Sequence, residues 1–145
     1  MSVRLGGPAR RTPGLSRRRL SLYSQRLLDA LGQADAELSL ALVDDATGAA
    51  LNQRFRGRAG ATDVLSFALG EGAHAQHRGA LLGDVVIALG VAQRQAEARG
   101  LTLEAECRRL LIHGVLHLLG YDHARPAEAR VMQAKERALW RTLAG

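Results

Sequence analysis

One cysteine, Cys107, is present in the chain. It cannot close an internal disulfide, which excludes a disulfide scaffold and a four-cysteine zinc site. Aromatic residues make up 3% of the sequence, too few for an extended base-stacking platform. The longest apolar run, residues 85–92, is too short to span a bilayer. No continuous apolar h-region follows the early arginines, so a secretory signal is not expected. Lysine occurs once, at Lys135, and arginine carries nearly all the positive charge. The chain is also rich in alanine and glycine, the bias of GC-rich coding, so arginine abundance alone says little. These absences leave a reduced, compact, cytoplasmic domain with no membrane contact as the expectation.

What is present suffices for one core. The chain has 145 residues, 47% of them apolar, the size of a single domain. The formal net charge is +6, and its distribution is uneven. Arg4, Arg10, Arg11, Arg17, Arg18 and Arg19 fall in the first nineteen positions with no acid among them, and the remainder is balanced. Residues 1–19 therefore read as a basic N-terminal arm, and residues 20–145 as a single catalytic domain. The arm suits an anionic partner such as RNA, DNA or acidic lipid, and equally a solvated tail. An organelle transit segment is a third reading of the same composition.

Local patterns predict both helices and strands. Val3 to Leu5 reads as a short edge strand. Ser16 is placed to cap a helix reaching about Leu31, with Gly32 as its stop. Leu38, Leu40 and Leu42 alternate along a half-buried strand from Glu37 to Val43. Asp44 or Asp45 caps a short helix through Phe55. Thr62 to Leu69 and Asp84 to Ala88 read as strands, with a glycine-rich loop between them that holds His74 and His77. A helix continues over Gln93 to Arg99 and stops at Gly100. Thr102 fits an N-cap for a long helix whose apolar stripe includes Cys107, Leu110, Leu111 and Leu118. Pro126 opens a last helix, with Val131, Met132, Leu139 and Trp140 expected to face inward. Strands and helices do not alternate as in a doubly wound sheet, so the fold class is α+β.

Chemistry concentrates in the run from His113 to His123. His113 and His117 lie four apart on the long helix, which puts both imidazoles on one face, about 6 Å apart at Cβ. Gly120 permits a sharp turn that brings His123 back as a third ligand. Three histidines favour one zinc ion per chain over the hard ions magnesium and calcium, with a fourth position left for water. His74 and His77 have no helix to aim them and read as solvated loop residues. The spacing also matches the metzincin proteases, whose general base is a glutamate directly after the first histidine. Here that position is Gly114, so the usual peptidase base is missing. A peptidase would need another carboxylate, such as Asp122, Asp63 or Asp84.

Ahead of this run, Arg54, Arg56 and Arg58 precede the strand Thr62-Asp63-Val64-Leu65-Ser66-Phe67. Three guanidiniums focus positive potential suited to phosphate, although a solvated turn gives the same spacing. Asp63 and Asp84 are candidates to orient a metal-bound histidine, or simply to cap turns. Ser66 and Asp122 are further candidates for the metal surroundings or for substrate contact.

Taken together these residues resemble the YbeY family of single-domain endoribonucleases, also called rRNA maturation factors. The likeness rests on Leu51-Asn52 with Arg56, the Thr62 to Phe67 strand, and Gly83-Asp84-Val85-Val86-Ile87. The complete His113 to His123 run, and Met132 with Glu136, complete it. It spans about residues 38 to 140. The resemblance implies a small mixed β-sheet covered by helices, with a zincin-like metal-binding helix. It implies one zinc held by His113, His117 and His123, and Arg56 as the catalytically important cation. It also implies a single-stranded RNA substrate, maturation of the 16S rRNA 3′ end, ribosome quality control, and small-subunit ribosomal proteins as partners. Ala68 stands where the family often has proline, Ala124 where it often has an acid, and the N-terminal region matches poorly. Three function classes follow: a zinc-dependent endoribonuclease first, then a zinc peptidase-like hydrolase, then a non-catalytic ribosome-associated metal-binding factor. The sequence does not choose between water and the RNA 2′-OH as nucleophile.

Overall fold

The computed structural model describes residues 3–6, 12, 14–57, 62–68, 81–122 and 124–144. Among these residues four strands and five helices follow in the order β1 (Val3–Gly6), α1 (Arg17–Ala30), β2 (Glu37–Val43), α2 (Asp45–Arg56), β3 (Val64–Ala68), β4 (Leu81–Ala88), α3 (Leu89–Arg99), α4 (Leu103–Leu118) and α5 (Pro126–Thr142). The sheet order is β1-β2-β4-β3. β1, β2 and β4 run parallel, and β3 lies antiparallel to β4 at the far edge. The fold is thus α+β with a small mixed sheet. No helix among the described residues is long and apolar enough to cross a membrane.

Each strand sorts its side chains by alternation, and the sheet has a different cover on each face. Leu38, Leu40, Leu42, Val85 and Ile87 face a large core closed by α1 and α4, with Leu20, Leu27, Leu28, Leu110 and Leu111 fully buried against them. The opposite face carries a smaller cluster of Val43, Leu65, Phe67 and Val86, covered by Leu51 of α2. α5 packs on α4, outside the first layer.

Several helix ends form as the sequence predicts. Ser16 Oγ accepts the Arg19 N–H at 3.1 Å, and Thr102 Oγ1 accepts the Ala105 N–H at 3.1 Å. The two aspartates at the start of α2 divide their work. Asp44 caps α2 through Thr47 N–H at 2.7 Å, while Asp45 reaches α3 and accepts the Val91 N–H at 2.9 Å. Ala88, the residue before α3, has no capping side chain of its own. This borrowed cap lets α3 start at Leu89 directly out of β4, earlier than the Gln93 read from local pattern.

Other differences have equally local causes. β4 begins at Leu81 rather than Asp84, because a bulge between Leu81 and Gly83 lets the strand keep pairing with β2. Val131 and Trp140 do not face inward; they are 60% and 36% exposed, respectively. The buried stripe of α5 is Met132, Leu139 and the following Leu143, and a helix turns Val131 and Trp140 away from it. The stretch expected as a basic arm contains ordered structure. Val3–Gly6 pairs with β2, and Arg17, Arg18 and Arg19 make the first turn of α1. Arg19 is held there by Glu104 of α4 at 2.7 Å, and the Arg108 guanidinium sits 4.5 Å from the centre of the Tyr23 ring. Burial raises the Glu104 carboxyl, but hydrogen bonding and charge from Arg19, joined by Arg108, outweigh it and hold the group below its ordinary range.

Candidate functional site

Small residues line the contact between α4 and the sheet: Gly114 on the helix, with Ser66 and Gly83 on the strands beneath it. A Cβ on Gly114 would stand 2.9 Å from Val85 Cγ1 and 3.0 Å from Ser66 Oγ. Instead, Ser66 Oγ donates to the Gly114 carbonyl at 3.0 Å, which ties β3 to the middle of α4. Gly83, at φ +153°, sits where a side chain would strike the Phe67 carbonyl and Leu118. Gly114 is therefore a close-approach residue. A glutamate at this position would meet Val85 and Ser66 at its first side-chain carbon.

The end of α4 is closed as its sequence requires. Gly120 adopts φ +97°. Its N–H bonds to the His117 carbonyl and the Tyr121 N–H bonds to the Leu116 carbonyl, both at 3.0 Å. This pair of bonds is the Schellman ending, and it sends the chain back toward the cleft beside the histidines. His123 itself lies outside the described residues, as do His74, His77 and Arg58.

A cleft of about 910 Å³ opens along β3, with His113, His117, Asp63, Ser66, Asp122 and Asn52 among its lining residues. Four elements thus meet there: α2, β3, α4 and the turn after α4. The His113 and His117 rings stand edge to face, with centroids 4.7 Å apart. His113 Nδ1 is 2.7 Å from Glu136 Oε2 of α5, so an ion would be bound through Nε2. The two described histidines therefore fit a shared soft or borderline cation, as zinc is. Among the described residues no three His, Cys, Asp or Glu side chains form a complete metal cage.

The remaining candidates divide. Asp63 and Ser66 line the cleft, and Asp63 Oδ1 accepts its neighbour's Val64 N–H at 2.8 Å. Asp122 lines the cleft from the turn. Asp84 does not belong with them. It pairs in register with Phe67 and Ser39, between Gly83 and Val85, and so lies on the α2 face of the sheet, opposite α4. Strand alternation puts its side chain on the face away from His113, and the carboxylate in contact with His113 is Glu136. Arg54 is exposed, with its guanidinium 5.3 Å from the centre of the Phe55 ring. Arg56 is the last residue of α2, one turn after Asn52.

Two residues at the site had no role assigned from sequence. Asn52 is buried at the cleft wall, and Glu136 faces His113. The signal for Glu136 was present: it stands four residues after Met132 and three before Leu139, a carboxylate on an otherwise apolar stripe. Arg109, one turn before His113, completes the polar surroundings. It grips Glu106 through two bonds of 2.8 and 3.0 Å. That hydrogen bond, opposed by burial and aided by the charges of Glu106, Asp63 and Glu136, raises the guanidinium above its ordinary value.

The family model for Endoribonuclease YbeY matches residues 14–144. The chain belongs to the endoribonuclease YbeY family. Relatives of that name include one from Anaeromyxobacter sp. (strain Fw109-5), 50% identical over 141 residues, which cover 97% of this chain and 71% of the relative. Another, from Geobacter metallireducens, is 39% identical over 145 residues, covering 99% of this chain and 96% of the relative. The solution structure of TM1509 from Thermotoga maritima is similar in fold, with a TM-score of 0.59 at 23% identity, over 97% of this chain and 90% of that one.

Proposed function

We propose that this chain is a zinc-dependent endoribonuclease, specific for single-stranded RNA, that acts in 16S rRNA 3′-end maturation and ribosome quality control in the cytoplasm. Membership of the endoribonuclease family supports the RNA substrate. The observation that carries the metal reading is the pair of imidazoles at the cleft, with His113 tied back through Nδ1 to Glu136. His113, His117 and His123 would hold the ion in a zincin-like helix and turn. When bound, zinc supplies Lewis acidity beside a phosphoryl oxygen and lowers the pKa of water toward ~7.

The chain's own residues do the rest. Asn52 and Ser66 give the cleft uncharged hydrogen-bonding groups for sugar and phosphate, and the Asp63 and Asp122 carboxylates suit ribose hydroxyls as acceptors. Arg56, one turn beyond Asn52, offers a cation for charge that develops on the phosphoryl oxygens. Its fork can meet two oxygens at once, which a lysine cannot. A peptidase base directly after His113 is excluded by the close contacts at Gly114, so the peptidase alternative would depend on Asp63 or Asp122 in the cleft lining.

The test is cleavage of single-stranded RNA, with casein in parallel, before and after chelation and on return of zinc. RNA cleavage is expected to stop with chelator and to recover with zinc. Arg56→Ala should lower RNA cleavage by about 10²–10³, the order seen for loss of one preorganised donor, with zinc content unchanged. Parental cleavage by Arg56→Ala would remove Arg56 from the reaction. Chelator-resistant RNA cleavage would refute zinc dependence, and casein cleavage without RNA cleavage would refute the whole reading.

A further inference from the structure

We infer that Glu136 is a positioning residue for His113, fixing its neutral ring in the Nδ1–H tautomer and turning Nε2 to the cleft. The contact is 2.7 Å, between partly buried side chains on two different helices. A carboxylate at that distance acts as acceptor for the Nδ1 proton, so the lone pair of the neutral ring lies on Nε2. Free histidine prefers the opposite tautomer, so the protein has to select this one. The selection is built into the packing. Glu136 shares the inward stripe of α5 with Met132, 1% exposed, and Leu139, 4% exposed, which anchor the helix on either side of it. From α4, Arg109 draws on Glu136 electrostatically while its own hydrogen bonds hold Glu106. The carboxylate is thus placed against the His113 ring by the packing of α5, within the positive field of Arg109. Fixing a ligand's tautomer and ring angle in advance raises its affinity for an ion, and loss of such an outer partner commonly costs 10–100-fold.

The purpose assigned to this arrangement rests on the zinc reading above; the tautomer itself does not. Two variants of the full chain separate the ideas. Glu136→Met keeps side-chain length on the apolar stripe and removes the acceptor. Glu136→Gln keeps an oxygen acceptor and removes the charge. Imidazole nitrogen resonances of metal-free protein at pH 8 should show His113 protonated on Nδ1 in the parent and in Glu136→Gln, and on Nε2 in Glu136→Met. Zinc affinity, measured by chelator competition, should fall by about 10–100-fold in Glu136→Met and less in Glu136→Gln. A contact that merely ties α5 to α4 would instead lower the unfolding midpoint and leave both readouts unmoved, which would overturn the inference. So would an Nε2–H ring in the parent. If the parent shows the Nδ1–H ring yet takes up no zinc, the metal reading fails while the tautomer assignment stands.

Discussion

Two rows of side chains run along α4, and they differ in what they do. The apolar row, including Cys107, Leu111 and Val115, is fully buried against the sheet and α1. The polar row is Glu106, Arg109, His113 and His117, spaced three or four residues apart. It meets Arg99 and Glu136 at its sides and ends in the cleft. One helix thus serves as the central core element and as the mount for the chemistry. The apolar row anchors it in the core, and the polar row carries the ion pairs and the cleft-lining histidines. The two should separate under mutation, with Gly114 as the point where they are coupled.

The largest effect on stability should come from the apolar row. Leu111 is fully buried, and Leu111→Ala should cost about 2–5 kcal/mol in denaturant unfolding. Zinc bound per folded molecule should hardly change. A loss of zinc in the folded fraction would show that the rows are not separable.

Gly114→Ala tests the coupling point. Alanine adds up to ~1 kcal/mol of helix propensity, yet its Cβ overlaps Val85 and Ser66. Overpacking typically costs about 1–3 kcal/mol, so a net loss is expected, with weaker zinc binding as α4 is pushed off the sheet. A Gly114→Ala protein more stable than the parent would contradict the close approach.

Cys107 gives the smallest and most local test. Burial, then the charges of Glu106 and Glu104, push its thiol up to about 12. It should resist maleimide at pH 7–8 in the native state and react only on unfolding. Rapid native-state labelling would show that the apolar row opens far below the cost of global unfolding.

Much of α4 was legible because its determinants are local. The Thr102 cap, the histidines at four-residue spacing and the Gly120 stop all act within a turn or two of chain. The strand faces were legible as well, that of Asp84 included. Val85 and Ile87 already mark the core face, so alternation alone places Asp84 on the other side. What could not be read locally depends on partners distant in sequence. Asp45 caps α3 across 46 positions, and Glu136 meets His113 across 23. The bulge that extends β4 requires β2 beside it. The close approach at Gly114 likewise exists only once β3 and β4 lie under α4; in sequence it appeared only as a missing glutamate.

The central claim is that the polar row of α4 holds zinc while the apolar row holds the fold. Metal content of His117→Ala beside the parent, purified without added metal, tests it most directly. The parent should carry close to one zinc per chain, and His117→Ala close to none, with the unfolding midpoint of the metal-free proteins nearly the same. Full zinc occupancy in His117→Ala would contradict the claim.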